Sequence, residues 1–274
     1  MRRTSNAAAL LAFAALSAHA QDQRPLPRGA PDVFLPATAR VHVRASEELD
    51  PDRLRDLTRP GVTLWLSTRS NTLKASTLEN LARFDVAWVQ LRAPLKPVDA
   101  ALFRKVPGVG AWVSPPSLGV QALLPGARRV AVELQGPLDE TTFAQLSQAR
   151  PAEVTWRQPP PIDLLAWGQF RALGGRRIIA ADARALLPVK CAERSANDPS
   201  LELHVANLLA LSSDVFPCGQ GTRVVVQPTV ETWLLQSLLV RDPSVELVLE
   251  IGADSERAVA ARGLLDRLQL GPSR

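Results

Sequence analysis

Between Val62 and Val113 the sequence reads VTLWLSTRSNTLKASTLENLARFDVAWVQLRAPLKPVDAALFRKVPGVGAWV, in which three short apolar runs are separated by longer segments. Each run is rich in β-branched residues and carries a Trp, at Trp65, Trp88 and Trp112. Runs of this length and composition are typical of buried strands, and the segments between them are long enough for helices. This part of the chain therefore predicts an alternation of strands and helices.

The same alternation continues on both sides. Asp139 and Asp254 stand before segments with helical spacing of apolar residues and are predicted to be helix N-caps. Strands joined by short links and helices run parallel, with right-handed crossovers. The predicted strands, of which the first seven begin between 20 and 24 residues apart, are Val41–Arg44, Val62–Leu66, Val86–Leu91, Val109–Val113, Val130–Leu134, Val154–Trp156, Arg177–Ala180, Arg223–Val226 and Val245–Ile251.

Two architectures fit repeated βα units of this length. One is a closed (βα)8-type barrel, that is, a TIM-like α/β fold. The other is an open horseshoe resembling leucine-rich repeats, which have a similar period. The chain lacks the regular Leu ladder and the capping Asn of those repeats. The barrel is the favoured prediction, and the horseshoe alternative requires the first and last strands to remain unpaired.

The amino terminus has the three-part pattern of a signal peptide. Arg2 and Arg3 precede an entirely apolar run over residues 7–16, and small residues stand at Ala18 and Ala20. This pattern predicts a cleaved Sec-type signal over 1–20. A Pro-rich tether over 21–38 and a single α/β domain over 39–271 are expected to follow.

The segment 188–220 interrupts the strand–helix rhythm. It contains both cysteines, Cys191 and Cys218, and a helix is predicted over Leu201–Leu211. In an exported protein two cysteines most simply form a disulfide, which would close this segment as an insertion. Free thiols and a metal site remain alternatives for the cysteines. A lid or binding loop and a segment without function remain alternatives for the insertion.

Charge and hydropathy limit the classes of partner that are expected. The formal net charge of +5 falls to +3 when Arg2 and Arg3 leave with the signal, and the basic residues are scattered. Nucleic-acid binding requires a clustered basic patch, so no nucleic-acid partner is expected. No transmembrane segment is expected after signal cleavage. The mature protein is predicted to be periplasmic or secreted.

Catalytic groups of α/β barrels lie at the carboxyl ends of the strands. Three carboxylates occupy such positions, Glu133, Asp182 and Glu250, and are the candidate catalytic residues. A glycoside hydrolase requires two carboxyl groups about 5–9 Å apart. At the same ends, the candidate ligand-binding residues are Arg69, Arg92 and Arg157.

Other chemistry has little support in the sequence. Motifs for zinc, for a nucleophilic Ser and for phosphate or dinucleotide binding are absent, so neither a metal nor a cofactor is expected. The three tryptophans either fill the barrel interior or form a platform for sugar rings. The sequence thus favours a binding or structural protein of the envelope or exterior, whose partner is a polysaccharide or an envelope protein. A glycoside-hydrolase-like enzyme is the alternative.

Overall fold

The computed structural model of the 274-residue chain describes residues 39–69, 75–92, 103, 106, 108–114, 129–157, 164–182, 198–204 and 221–271. All of them lie within one compact unit, Pro36–Arg274. The predicted disulfide between Cys191 and Cys218 falls outside the described residues, as do the predicted signal peptide and tether.

Ten parallel strands form a closed barrel in which each strand pairs with its neighbours in the chain and β1 pairs with β10. The strands are β1 Arg40–Ser46, β2 Val62–Ser67, β3 Val86–Leu91, β4 Val109–Val113, β5 Val130–Gln135, β6 Glu153–Arg157, β7 Arg176–Asp182, β8 Ser200–His204, β9 Arg223–Val226 and β10 Glu246–Gly252. The TIM-like barrel is confirmed, with ten strands where eight were expected. The β1–β10 pairing excludes the horseshoe.

Helices alternate with many of the strands. Among the described residues they are α1 Pro51–Asp56, α2 Ala75–Leu81, α3 Glu140–Ala149, α4 Leu164–Ala172, α5 Thr232–Arg241 and α6 Ser255–Leu265. The predicted caps are confirmed, because Asp139 accepts from the backbone N–H of Thr142 and Asp254 accepts from those of Glu256 and Arg257. Short polar side chains at these positions satisfy amide donors that the first turn leaves unpaired.

Nine of the ten strands were predicted, and the one that was not, β8, comes from the segment in which a helix was predicted. Residues 200–204, Ser-Leu-Glu-Leu-His, form β8 and pair with β7 and β9. The helix prediction is therefore wrong for Leu201–His204, and the rest of that prediction lies outside the described residues. All nine predicted strands are confirmed to within a few residues.

Side chains alternate along each strand between two different environments. The outward-facing residues of β1, such as Val41 and Val43, belong to the large apolar core that also contains Leu235 of α5 and Leu264 of α6. The inward-facing residues belong to the barrel interior, which holds a smaller cluster of tryptophans and many charged side chains. The period-two alternation of strands thus separates an apolar layer under the helices from a polar interior.

Candidate functional site

Inward-facing side chains in the carboxyl half of the barrel form a continuous chain of ion pairs. In spatial order its members are Glu133 on β5, Arg157 on β6, Glu202 on β8, Arg44 on β1 and Glu250 on β10. We call these five residues the carboxyl-end ion-pair chain. It crosses the interior, since β8 and β1 are not neighbours in the sheet.

Glu202 is the centre of this chain. Its Oε2 accepts from Nη2 of Arg44 at 2.6 Å, and its Oε1 accepts from Nη1 of Arg157 at 3.2 Å. The side chain has 0% exposure. Burial alone raises the pKa of Glu202, but the charge of Arg44, hydrogen bonds from His204 and Arg44, and the charge of Arg157 hold it well below its ordinary value. Glu202 therefore remains ionised at neutral pH.

The two ends of the chain are carboxylates, of which Glu133 is buried and Glu250 is nearly half exposed. Glu133 Oε1 receives Nε of Arg157 at 2.8 Å and also lies 3.3 Å from the side-chain amide of Gln135. Glu250 Oε1 receives Nη1 of Arg44 at 3.1 Å, and the Glu250 side chain is 45% exposed. The chain is thus anchored in the interior at Glu202 and open to solvent at Glu250.

Further polar side chains lie at the carboxyl ends of β8 and β5. His204, the last residue of β8, is 42% exposed, and its Nε2 lies 3.7 Å from Glu202 Oε1. Gln135, the last residue of β5, is exposed and donates to Ser114 Oγ at 3.3 Å. These groups combine donors and acceptors, as sites for hydroxyl-rich ligands do.

The tryptophans pack together inside the barrel. Trp65 and Trp88 are buried and stacked with ring centroids 5.3 Å apart, and Trp112 meets Trp65 edge-on at 5.6 Å. The guanidinium of Arg223 lies over the Trp65 ring, and that of Arg129 lies over the Trp88 ring. The prediction that tryptophans fill the interior is confirmed for Trp65 and Trp88, whereas Trp112 is partly exposed.

A second set of charges occupies the amino half of the interior. We call it the amino-end network: it consists of Arg40, His42, Glu153, Arg176, Arg223 and Glu246. Arg223 is almost fully buried and donates to both oxygens of Glu153, at 2.7 and 2.8 Å. Burial raises the pKa of Glu153, but the charges of Arg223 and Arg176 lower it overall.

The structure brings together only some of the candidate residues. Glu133, Arg157 and Glu250 belong to the carboxyl-end ion-pair chain. Arg69 lies beyond β2 at the rim, where it pairs with Glu48 at 2.6 Å. The remaining two candidates, Arg92 and Asp182, stand at the ends of strands β3 and β7, which are not neighbours in the barrel.

Arg92 follows β3 and donates to the backbone carbonyl of Thr68. Asp182 ends β7 with its backbone in register with His204, and its side chain lies outside what the structure describes. Of the predicted catalytic carboxylates, Glu133 and Glu250 therefore face the same interior, and each is held by an arginine.

Sequence reasoning missed Arg44, Glu202 and His204. A signal was present in β1, where His42 and Arg44 alternate with Val41 and Val43. Charged residues at every second position of a strand indicate that one face is polar. The same alternation occurs in β8, where Glu202 and His204 alternate with leucines.

Two further observations concern metals and membranes. Among the described residues, no group of three or more His, Cys, Asp or Glu side chains is placed to hold a metal ion. None of the described helices has the length and apolar character needed to cross a membrane.

No family model matches the sequence, and no curated protein matches it. Among solved structures, the chain is similar to tryptophan synthase from M. tuberculosis in an aminoacrylate- and BRD0059-bound form, at 12% identity and a TM-score of 0.40. The match covers 86% of this chain and 94% of the other. A similarity at this level carries no argument about function, and the barrel is established by its own strand pairing.

Proposed function

We propose that the mature protein is an exported binding protein that holds a polysaccharide, or another component of the cell envelope, at the carboxyl-terminal mouth of its barrel. Export to the periplasm or the exterior is supported by the signal-peptide pattern of residues 1–20. A disulfide between Cys191 and Cys218 would suit that compartment.

The observation that carries the proposal is the carboxyl-end ion-pair chain. Its buried centre at Glu202 fixes the positions of Arg44 and Arg157, and Arg44 in turn holds the partly exposed Glu250. Side chains held by a rigid inner layer are preorganised, so less conformational entropy is lost when a ligand binds. Binding sites of α/β barrels are built at this end of the strands.

The hydrogen-bonding groups at the mouth suit a carbohydrate. Arg157 Nη2 has no partner among the described residues, and neither has the side-chain oxygen of Gln135. A sugar hydroxyl both donates and accepts, and it can satisfy either group. Partly exposed Trp112 adds an aromatic surface in the same interior.

Binding is favoured over glycoside hydrolysis because both candidate carboxylates are held in ion pairs. A glycosidase needs two carboxyl groups that act on the scissile bond from its two sides. Glu133 and Glu250 each receive an arginine at about hydrogen-bond distance, 2.8 and 3.1 Å respectively. Hydrolysis by Glu133 and Glu250 is the alternative function.

The test is calorimetric titration of residues 21–274 with a panel of envelope and storage polysaccharides, using Gln135→Ala as the site variant. We expect at least one glycan to bind, and the variant to weaken it about 2- to 10-fold, as the loss of one hydrogen bond implies. Gln145→Ala, which changes an exposed glutamine of α3, is the matched control and should bind normally.

Two results would contradict the proposal. Equal affinity of the Gln135→Ala variant for every bound glycan would place the binding site elsewhere on the molecule. Release of reducing ends, abolished by Glu133→Gln and Glu250→Gln, would instead establish the hydrolase alternative.

A further inference from the structure

We infer that the ligand of the carboxyl-terminal mouth carries positive charge, as the protonated amino groups of an amino-sugar glycan. The inference rests on the proposed function and deepens it by naming the class of glycan. It follows from the distribution of charge among the described side chains.

The carboxyl-end ion-pair chain has an odd number of members. Acidic and basic residues alternate along it, beginning with Glu133 and ending with Glu250. Three carboxylates thus face two guanidinium groups, which leaves one negative charge. Since Glu202 at the centre pairs with both arginines, the uncompensated charge lies at the two terminal carboxylates.

Glu250 presents that charge to solvent. Its Oε1 receives Arg44, and its Oε2 has no hydrogen-bond or ion-pair partner among the residues that the structure describes. The side chain is nearly half exposed. An ammonium group that reaches this oxygen would form a charge-assisted hydrogen bond, which is shorter and stronger than a neutral one.

Among the described residues, the neighbouring rim does not reverse the sign of this charge. Glu47 and Glu48 follow β1, and both contact Arg69: Glu48 pairs with its guanidinium, and Glu47 accepts from its backbone N–H. Arg92 adds one positive charge on the side of β3. The charges of these four rim residues balance, so together with the carboxyl-end ion-pair chain they still carry one more negative than positive charge.

The positive ends of three of the described helices at this end of the barrel are matched by carboxylates. Asp50, Asp139 and Asp254 each accept backbone N–H groups at the start of α1, α3 and α6. A free helix amino terminus favours anions, but a capping carboxylate already satisfies it. These three helix starts therefore do not turn the mouth into an anion site.

The opposite end of the interior has the opposite sign. In the amino-end network, Arg40, Arg176 and Arg223 face only two carboxylates, Glu153 and Glu246. His42 adds no charge because Trp65 donates a hydrogen bond to its Nδ1. Among the described side chains, the negative excess thus occurs at the mouth and not at the amino end of the interior.

The test compares three oligosaccharides of equal length: a glucosamine oligomer, its N-acetylated form and a galacturonate oligomer. Each is titrated into residues 21–274 at about pH 6, where hexosamine amines are protonated. We expect the glucosamine oligomer to bind at least about 10-fold more tightly than the acetylated one, with an affinity that falls as salt is added.

Glu250→Gln tests the group that carries the charge. We expect it to weaken binding of the glucosamine oligomer about 5- to 10-fold, a larger loss than any that it causes for the N-acetylated oligomer. Glu79→Gln, which removes an exposed carboxylate on α2, is the matched control and should alter neither. Thermal unfolding of each variant checks that the barrel is intact.

The inference and the proposed function fail in different ways. If a glycan binds in a Gln135-dependent manner but the acetylated or acidic oligomer is bound as tightly as the amine, the inference is overturned and the proposed function stands. Failure of all three oligomers to bind also overturns the inference. A wild-type response of Glu250→Gln to the amine oligomer would exclude Glu250 as its partner.

Discussion

The hydrogen bond from Trp65 to His42 fixes which ring nitrogen of His42 carries its proton. An indole N–H can only donate, and Trp65 Nε1 lies 3.2 Å from Nδ1 of His42, so Nδ1 is the acceptor. The proton is therefore on Nε2, which donates to Oε2 of Glu246 at 2.8 Å. A second proton on the ring would break the bond to Trp65, so the buried imidazole is held neutral.

This arrangement makes stability depend on pH. Burial, with the charge of Arg223, lowers the pKa of His42 below its ordinary value of about 6.5. Below that value the unfolded chain binds a proton that the folded chain does not bind, so the folded state loses stability as pH falls toward the lowered pKa. We expect urea unfolding to show a lower free energy at about pH 5.5 than at about pH 7.5.

His42→Gln is the variant that isolates this effect. Gln does not titrate, so the variant should lose less stability than the wild type between the same two pH values. The carboxylates of Glu153 and Glu246 do not interfere, because their pKa values are lowered in the fold and their contribution is lost only below about pH 4.5. Identical pH dependence of the two proteins would show that His42 takes up a proton in the folded state as readily as in the unfolded chain.

At the scale of elements, the packing of β3 against β4 depends on Gly110. The Trp88 ring lies across this residue, and a Cβ added at Gly110 would meet ring carbons at 2.6 and 2.7 Å and the carbonyl oxygen of Arg129 at 3.1 Å. The glycine is thus required by close packing. Gly108 directly precedes β4, and Val109 and Gly110 are the first two residues of that strand.

Gly110→Ala should therefore destabilise the barrel. Overpacking of this kind costs about 1–3 kcal/mol, because the stacked Trp88 ring must shift. Gly168→Ala is the control: Gly168 lies in α4 with no atom within 4 Å of an added Cβ, and the change should stabilise the protein by up to about 1 kcal/mol. Urea unfolding measures both. Equal free energies of unfolding for the two variants would mean that the stacked Trp88 ring can shift without an energetic cost.

Nine of the ten strands could be predicted from sequence because their outward faces carry β-branched residues and their inward faces are often apolar too. β8 was missed because its inward face carries Glu202 and His204, so no continuous apolar run marks it. Its two outward leucines, read together with the leucines that follow, resembled the spacing of a helix. The polar residues Glu202 and His204, which prevented the prediction of this strand, are also part of the candidate site.

The candidate site was predictable only in part for a related reason. Glu133, Arg157 and Glu250 were found because strand ends can be located from local pattern. The pairing of Arg44 with Glu202 joins residues 158 positions apart across a ring of ten strands. Local pattern gives neither the number of strands nor which inward residues meet across the interior.

The molecule as a whole buries charge where a barrel of this kind more often buries aliphatic side chains. The amino-end network and the carboxyl-end ion-pair chain together fill much of the interior. The rest of the described interior includes the tryptophans of β2, β3 and β4. Ring closure makes this arrangement possible, because β1 contributes His42 to one network and Arg44 to the other. Each network needs partners from both ends of the chain.

Such networks are sensitive to the removal of a single member. Arg223 is almost fully buried between Glu153 and Glu246, and Arg223→Met would leave two buried carboxylates with fewer partners. We expect a loss of about 3–5 kcal/mol, as for other broken buried pairs. Adding Glu153→Met to this variant removes one of the unpaired charges. The double variant should therefore be more stable than the sum of the two single changes implies, by about 1.5–3 kcal/mol.

The exposed pair between Arg262 and Asp56, with N and O atoms 3.0 Å apart, is the matched comparison. A double-variant cycle on it should give a coupling below about 1 kcal/mol, because water screens exposed charges. Added salt should reduce that small coupling and leave the coupling of Arg223 with Glu153 nearly unchanged. If both cycles gave the same small coupling, water would have to reach Arg223, and the interior would be wetter than its near-complete burial implies. Urea unfolding at low and high salt distinguishes the two cases.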